Sequence, residues 1–195
     1  MKKGTKLNKL SPEDIEAAND LGIQRQLNNR KHKTHYVAEG RMGSKEDTTE
    51  ERFSREQRGV RSEFAFARNF DCLPESWDLI LAIGVQSAVQ GSDPADAIVQ
   101  ASNGKKLAVD VKTTEYYTGN LLVSLEKRDC SCVFVLLVEG SEGEFTFAGA
   151  ITSQRAFALL QRGVVQIRSR NTIWIPQVHL NDFTPVIEFA STLAP

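Results

Sequence analysis

The stretch GSDPADAIVQASNGKKLAVDVKTT, residues 91–114, decides the fold. It reads as a strand over 96–101, a turn at Ser102-Asn103-Gly104 and a second strand over 106–112. Asn-Gly suits the positive φ of a tight hairpin turn. Side chains alternate between the faces of a strand, so Asp110 and Lys112 point to one side and Val109 and Val111 to the other. A carboxylate and an ammonium closing an apolar strand are costly unless they are partnered or used. Asp96 opens the first strand and reaches the same place across the hairpin. Two acids and a lysine converging at a sheet edge can hold a hard divalent cation and act on a phosphate. Asp93 competes with Asp96 for this place. Ala97-Ile98-Val99 follow Asp96 directly and make it the strand's first residue, whereas Asp93 suits a turn before Pro94.

Upstream of the hairpin, Val60, Phe64 and Ala67 recur at helical spacing, with Phe66 and Phe70 widening the stripe, and predict a helix over 50–70. Glu63 falls inside this core-facing region. Ser11-Pro12-Glu13-Asp14 is a helix start, with a capping serine, a first-turn proline and two acids at the positive helix end. That helix runs to about Asn29. Residues 30–50 are polar, charged and aperiodic and read as a connection. Residues 71–92 are ambiguous, because Pro74 breaks the helix and Leu79 to Ile83 is too short for periodicity to decide. Downstream, Leu121 to Leu125 predicts a strand and the apolar run Cys132 to Val138 a buried central one. Glu144 to Ala148 predicts another strand, 152–161 a helix, and 164–168 and 172–175 short strands. The expected architecture is α/β, a central mixed β-sheet flanked by helices. An N-terminal helix and basic linker arm (1–49) precedes the main domain (50–195).

Composition sets limits. The 195 residues are 41% hydrophobic with a formal net charge of −1, enough for one core and too neutral to advertise nucleic acid globally. Charge is uneven, however. Between residues 24 and 45, Arg25, Arg30, Lys31, Lys33, Arg41 and Lys45 face the single acid Glu39. Such a segment serves either as a charged linker or as a phosphate-binding arm, with His35 and Tyr36 able to stack on bases. Cys72, Cys130 and Cys132 are odd in number and read as free thiols of a reducing compartment. The start MKKGTKLNKLSPEDI has no apolar run, and no segment nears the ~20 apolar residues of a membrane span. A soluble, cytoplasmic protein without a membrane partner is expected.

The order of these features resembles the PD-(D/E)xK nuclease superfamily. Its motif is an acid at the start of one strand, then Asp or Glu, any residue and Lys on the next. Here these are Asp96 and Asp110-Val111-Lys112, with 13 residues between the two acids. Pro94 lies two residues before Asp96 rather than one. Many members carry a glutamate on the preceding helix, which Glu63 matches. Thr113, Thr114 and the strand Phe145-Thr146-Phe147-Ala148-Gly149 fit compact phage-type members. The resemblance covers about residues 58–180. It implies a restriction-endonuclease-like fold and a Mg²⁺-dependent phosphodiesterase, an endo- or exodeoxyribonuclease acting on nucleic acid, with DNA favoured. A phage-encoded copy would work in the host cytoplasm. Asp96, Asp110 and the Val111 carbonyl would ligate Mg²⁺, or Mn²⁺ in its place, with Glu63 joining them directly or through water. Lys112 would orient the attacking water or stabilise the transition state. Arg30, Lys31, Lys33, Thr113 and Thr114 would contact nucleic acid. A homodimer would supply the two sites that coordinated double-strand cleavage needs.

Other chemistries find no support in the sequence. There is no glycine-rich phosphate loop, nucleophile elbow or zincin helix. His32 and His35 lack further ligands at metal spacing. Trp77 and Trp174 read as core, Cys130 and Cys132 as a strand start, and Glu115 as part of an exposed loop. Glu63 also has a plain structural alternative, pairing with Arg61 or Arg68. On the whole-protein scale the alternatives to an enzyme are a non-catalytic nucleic-acid-binding protein on the same fold and an assembly protein whose acids form ion pairs.

Overall fold

The computed structural model describes residues 1–31, 49–82, 95–128, 130–169 and 171–193, and of 29–31, 168 and 169 the backbone alone. Its helices are α1 (Pro12–Lys31), α2 (Thr49–Asn69), α3 (Glu75–Leu81), α4 (Ser153–Gln161) and α5 (Phe183–Thr192). Its strands are β1 (Ala97–Gln100), β2 (Lys106–Thr114), β3 (Leu121–Ser124), β4 (Cys132–Ser141), β5 (Glu144–Thr152), β6 (Gln166–Ser169) and β7 (Thr172–Ile175). The main sheet has the order β1-β2-β4-β5 and is mixed: β2 and β4 are parallel, and the outer pairs are antiparallel hairpins. A second, antiparallel sheet has the order β3-β7-β6. The chain is thus α/β with a mixed sheet, as its periodicity predicts.

β4 explains its own sequence. Val133, Val135 and Leu137 face one core, and Phe134, Leu136 and Val138 face another on the opposite side. A strand covered on both faces reads as a continuous apolar run rather than an alternation. The first core is closed by α1, α2 and α5, and the second by α4 and the small sheet. The connection from β2 to its parallel neighbour β4 passes through β3 and a 3₁₀ turn, Leu125–Lys127, capped by the Ser124 side chain.

Residues 1–31, read from sequence as part of an arm, contribute to the main core. Leu7, Leu10, Ala18 and Leu21 are buried there, and residues 4–7 hydrogen-bond along β5. The remainder of the basic segment, 32–45, lies outside the described residues, as do Asp93 and Pro94. α1 lies very close to α2 at Gly22, where an added Cβ would stand 2.7 Å from the Gln57 Cα. One helical turn later this contact carries Arg25 to the same helix.

Three expectations need correction. β2 continues to Thr114, so Asp110-Val111-Lys112 lies within the strand rather than closing it. The ambiguous 71–92 region contains α3, whose Ser76 hydroxyl bonds both the N–H and the carbonyl of Ile98 and so covers the outer edge of β1. Cys130 and Cys132 are joined as a disulfide, their Cα atoms 5.4 Å apart and within the span such a bond needs. Cys72 remains a free thiol, pushed up to about 12 by burial. The cysteine argument for a reducing compartment is thereby lost. Among the described residues no helix is long and apolar enough to cross a membrane.

Candidate functional site

The site forms where the β1–β2 hairpin ends. The last ladder pair is Ala97 with Val109, and beyond it β2 continues without a partner strand on that side among the described residues. The Asp96 N–H still reaches the Val109 carbonyl at 2.9 Å. Opposite the next inward-facing donor, the Val111 N–H, there is no strand among the described residues. It donates instead to Asp96 Oδ2 at 2.6 Å. Asp96 therefore finishes the ladder with its side chain, which is why a carboxylate is tolerated at a buried strand start. The N–H and C=O of one strand residue point the same way, so the Val111 carbonyl opens on this edge too.

Asp110 is 2% exposed, on the face opposite Val109 and Val111. Its two oxygens are divided between two ammoniums, with Lys112 Nζ 2.6 Å from Oδ1 and Lys127 Nζ 3.0 Å from Oδ2. Glu63 comes from the stretch of α2, Val60 to Phe66, that is buried on every side. Arg25 Nη1 donates to both oxygens of Glu63, at 3.0 and 2.9 Å. The other Arg25 nitrogen donates to the Ile80 carbonyl at the end of α3, so one guanidinium ties three helices together. Arg61 and Arg68, the sequence-based alternatives for pairing Glu63, are engaged elsewhere. Arg61 holds the buried Glu139 at 2.8 Å, and Arg68 pairs with Asp14 and lies over Trp77. Trp77 itself packs edge-on against Phe64.

The charges act on one another. Burial first, then the carboxylates of Glu63 and Asp110, raise the Asp96 pKa well above the usual range; Lys112 and the Val111 N–H only partly oppose this. Burial also acts to raise Asp110, but Lys112 and then Lys127 outweigh it and hold this group below its ordinary value. Glu63 is raised by burial, with Arg25 pulling it back incompletely. Arg25, which burial alone would lower, is raised by Glu63. Glu56, two helical turns before Glu63 on α2, is likewise raised by burial and lies in the field of Arg25. Strong perturbation by burial plus specific charge partners is the pattern of a functional site, although structural ion-pair networks share it.

The four residues singled out from sequence, Glu63, Asp96, Asp110 and Lys112, are thus within electrostatic reach of one another. Thr113 and Thr114 follow on β2 and are half-buried, and the buried Thr113 Oγ1 has no hydrogen-bond partner among the described residues. Arg30 and Lys31 end α1, with side chains outside the described set, and Lys33 lies outside it altogether. Arg25, counted from sequence within the basic segment, belongs to the acidic site instead. Lys127 was missed. Nothing local marks Leu125-Glu126-Lys127, because only the crossover from β2 to β4 brings it to Asp110.

Among the described residues, no three Asp, Glu, His or Cys already form a metal cage. Glu63, Asp96, Asp110 and the Val111 carbonyl offer oxygen donors, the kind a hard cation takes, and burial and acidic neighbours raise Asp96. A divalent ion would relieve that repulsion. No family model, curated protein or solved structure matches the chain.

Proposed function

We propose that the chain is a divalent-cation-dependent phosphodiesterase acting on nucleic acid, with DNA favoured, on a restriction-endonuclease-like α/β fold of the PD-(D/E)xK type. The observation that carries this reading is Asp96, held by the Val111 N–H just past the β1–β2 ladder and electrostatically coupled to Glu63, Asp110 and Lys112. Asp96, Asp110, the Val111 carbonyl and Glu63 would hold Mg²⁺ or Mn²⁺. When bound, the ion supplies charge neutralisation at the scissile phosphate and a water acidified for attack.

The chain's own residues supply the rest. The Val111 N–H fixes the Asp96 carboxylate, so this donor is oriented before any ligand arrives. Arg25 does the same for Glu63. The Lys112 side chain is 41% exposed, against 9% for Lys127, and can face a phosphate oxygen or the attacking water. Thr113, Thr114 and the basic residues Arg30, Lys31 and Lys33 would contact the phosphate backbone and give an affinity that falls with salt.

Incubation with supercoiled circular DNA, linear DNA and single-stranded RNA, each with Mg²⁺ or chelator, tests this. Mg²⁺-dependent nicking of circles means an endonuclease, and loss from linear ends alone an exonuclease. No cleavage of any substrate with any divalent ion ends the enzyme reading.

A second reading has its own observation. Asp110 is paired with two lysines and Glu63 with an arginine, so the acids also form a closed ion-pair network. A non-catalytic nucleic-acid-binding or assembly protein would need no more. Calorimetric titration with Mn²⁺ separates the two readings, because a purely structural network gives no specific binding heat.

A further inference from the structure

We infer that the two lysines on Asp110 have different duties: Lys112 is displaced when a divalent cation binds, whereas Lys127 stays as the fixed counter-ion that positions Asp110. This rests on the cation site proposed above and says how that site opens.

The two ammoniums sit on opposite oxygens of one carboxylate but are built differently. Lys112 lies on β2 two residues from Asp110, and its side chain is 41% exposed. Lys127 comes from the crossover, and its side chain is 9% exposed. The backbone behind Lys127 is held from several directions. Its carbonyl accepts from the Ser153 hydroxyl at 2.8 Å and from the Cys130 N–H at 3.3 Å. The preceding turn is capped by Ser124, whose hydroxyl accepts from the Glu126 N–H. Ser153 is itself the first residue of α4. A swing of Lys127 away from Asp110 would strand a charge in the second core, whereas a swing of Lys112 carries its ammonium to water.

Asp110 Oδ1 cannot serve Lys112 and a cation at once. Glu56, Glu63, Asp96 and Asp110 bring four acids to this region, and Arg25, Lys112 and Lys127 bring three bases. A divalent ion added to this set meets three fixed positive charges unless one withdraws. Lys112 can withdraw, leaving Asp110 Oδ1 to the cation while Lys127 keeps Oδ2. The displaced Lys112 ammonium would then be open to solvent and to a substrate phosphate. Lys127 is a positioning residue: it acts through Asp110 and touches no substrate.

The test is amine acetylation of the intact wild-type protein with and without Mn²⁺, read residue by residue by mass spectrometry, beside a calorimetric Mn²⁺ titration. Acetylation of Lys112 should rise several-fold with Mn²⁺, while Lys127 stays protected in both states. Acetylation of Lys127 that rises with Mn²⁺, or a Lys112 signal that does not, overturns the division of duties. Absence of Mn²⁺ binding heat in the wild type overturns the cation site itself, and the inference falls with it. Lys127→Gln adds a second readout, because glutamine can still donate to Asp110 without a charge. This variant should bind Mn²⁺ roughly tenfold tighter, one competing positive charge having gone, yet cleave DNA more slowly. Lys127→Arg, which keeps the charge, should return the affinity to the wild-type value. If Lys127→Gln weakens Mn²⁺ binding, Lys127 is a structural support and the inference fails. The acetylation result stands without either variant should one not fold.

Discussion

Asp96 and Asp110 share a site and titrate in opposite directions, and this difference yields a test at the level of single residues. The folded-state pKa of Asp110 is lowered, so its contribution to stability is full above the unfolded value and is lost as pH falls through the folded one. That of Asp96 is raised, so its contribution is full below the unfolded value and is lost as pH rises through the folded one. In chelator at neutral pH, Asp110→Asn should cost about 3–5 kcal/mol, because Lys127 is left buried beside a neutral group. The cost should shrink as pH falls through the folded pKa of Asp110. Asp96→Asn should be at least as stable as wild type, since the amide oxygen can still accept from Val111 and the buried charge is gone. Denaturation curves across pH decide this, and equal shifts of one sign for both variants would contradict the charge assignment. Both variants should also abolish specific Mn²⁺ binding, read by calorimetry; binding equal to wild type would remove these residues from the cation site. The sequence exposed Asp96, Asp110, Lys112 and Glu63 because each interrupts an apolar pattern. It did not expose Arg25 or Lys127, because neither interrupts anything: one sits in a polar helix and the other in a polar turn, and only tertiary packing brings them in.

At the level of elements, the placing of the site depends on how closely α1 approaches α2. Helix preference alone favours alanine over glycine by about 1 kcal/mol. At Gly22 this is outweighed, because a Cβ 2.7 Å from the Gln57 backbone must push the helices apart. Gly22→Ala should destabilise by about 1–3 kcal/mol, the range for overpacking. Gly59→Ala on α2, where a Cβ meets nothing within 4 Å, should stabilise by about 0.5–1 kcal/mol. Urea denaturation of the two variants checks the pair, and a stabilising Gly22→Ala would mean that α1 is not seated as described. The elements α1, α2 and β4 were legible from sequence, α1 through its capped start, α2 through its apolar stripe and β4 through its continuous apolar run, and so was the hairpin, through its Asn-Gly turn. α3 was not, because seven residues hold too few turns for a period to show. α5 was passed over although Phe183, Val186, Ile187 and Ala190 are spaced to bury one face, as they do. The sequence reading of β2 stops at Lys112 because Thr113 and Thr114 look like an exit from a strand. They stay in it because β4 continues to pair with them.

For the whole molecule, the formal charge of −1 hides a run of bases in 24–45 set against a remainder that is balanced to acidic. If Arg30, Lys31 and Lys33 neutralise phosphates, replacing all three should weaken binding to every sequence about equally and reduce the salt slope by about 2–3. Cleavage by saturated enzyme should survive. Affinities at several salt concentrations check this, and an unchanged slope would make the segment a linker. The fold class was readable because two covered faces leave a recognisable run in β4. The arm and domain division was less so, because Leu7, Leu10, Ala18 and Leu21 reach the core one at a time from a mostly polar stretch. The central claim is that this edge cleaves phosphodiesters, and Lys112 is where it is most exposed to test, being the one charge of the motif that is not proposed to ligate the cation. The measurement is single-turnover cleavage of DNA with Mg²⁺ by wild type, Lys112→Ala and Lys112→Arg, with DNA binding measured separately in Ca²⁺. The account predicts Mg²⁺-dependent cleavage by wild type, a fall of ~10²–10³ in Lys112→Ala with binding largely kept, and no rescue by the planar guanidinium of arginine. Cleavage by Lys112→Ala at the wild-type rate would contradict it.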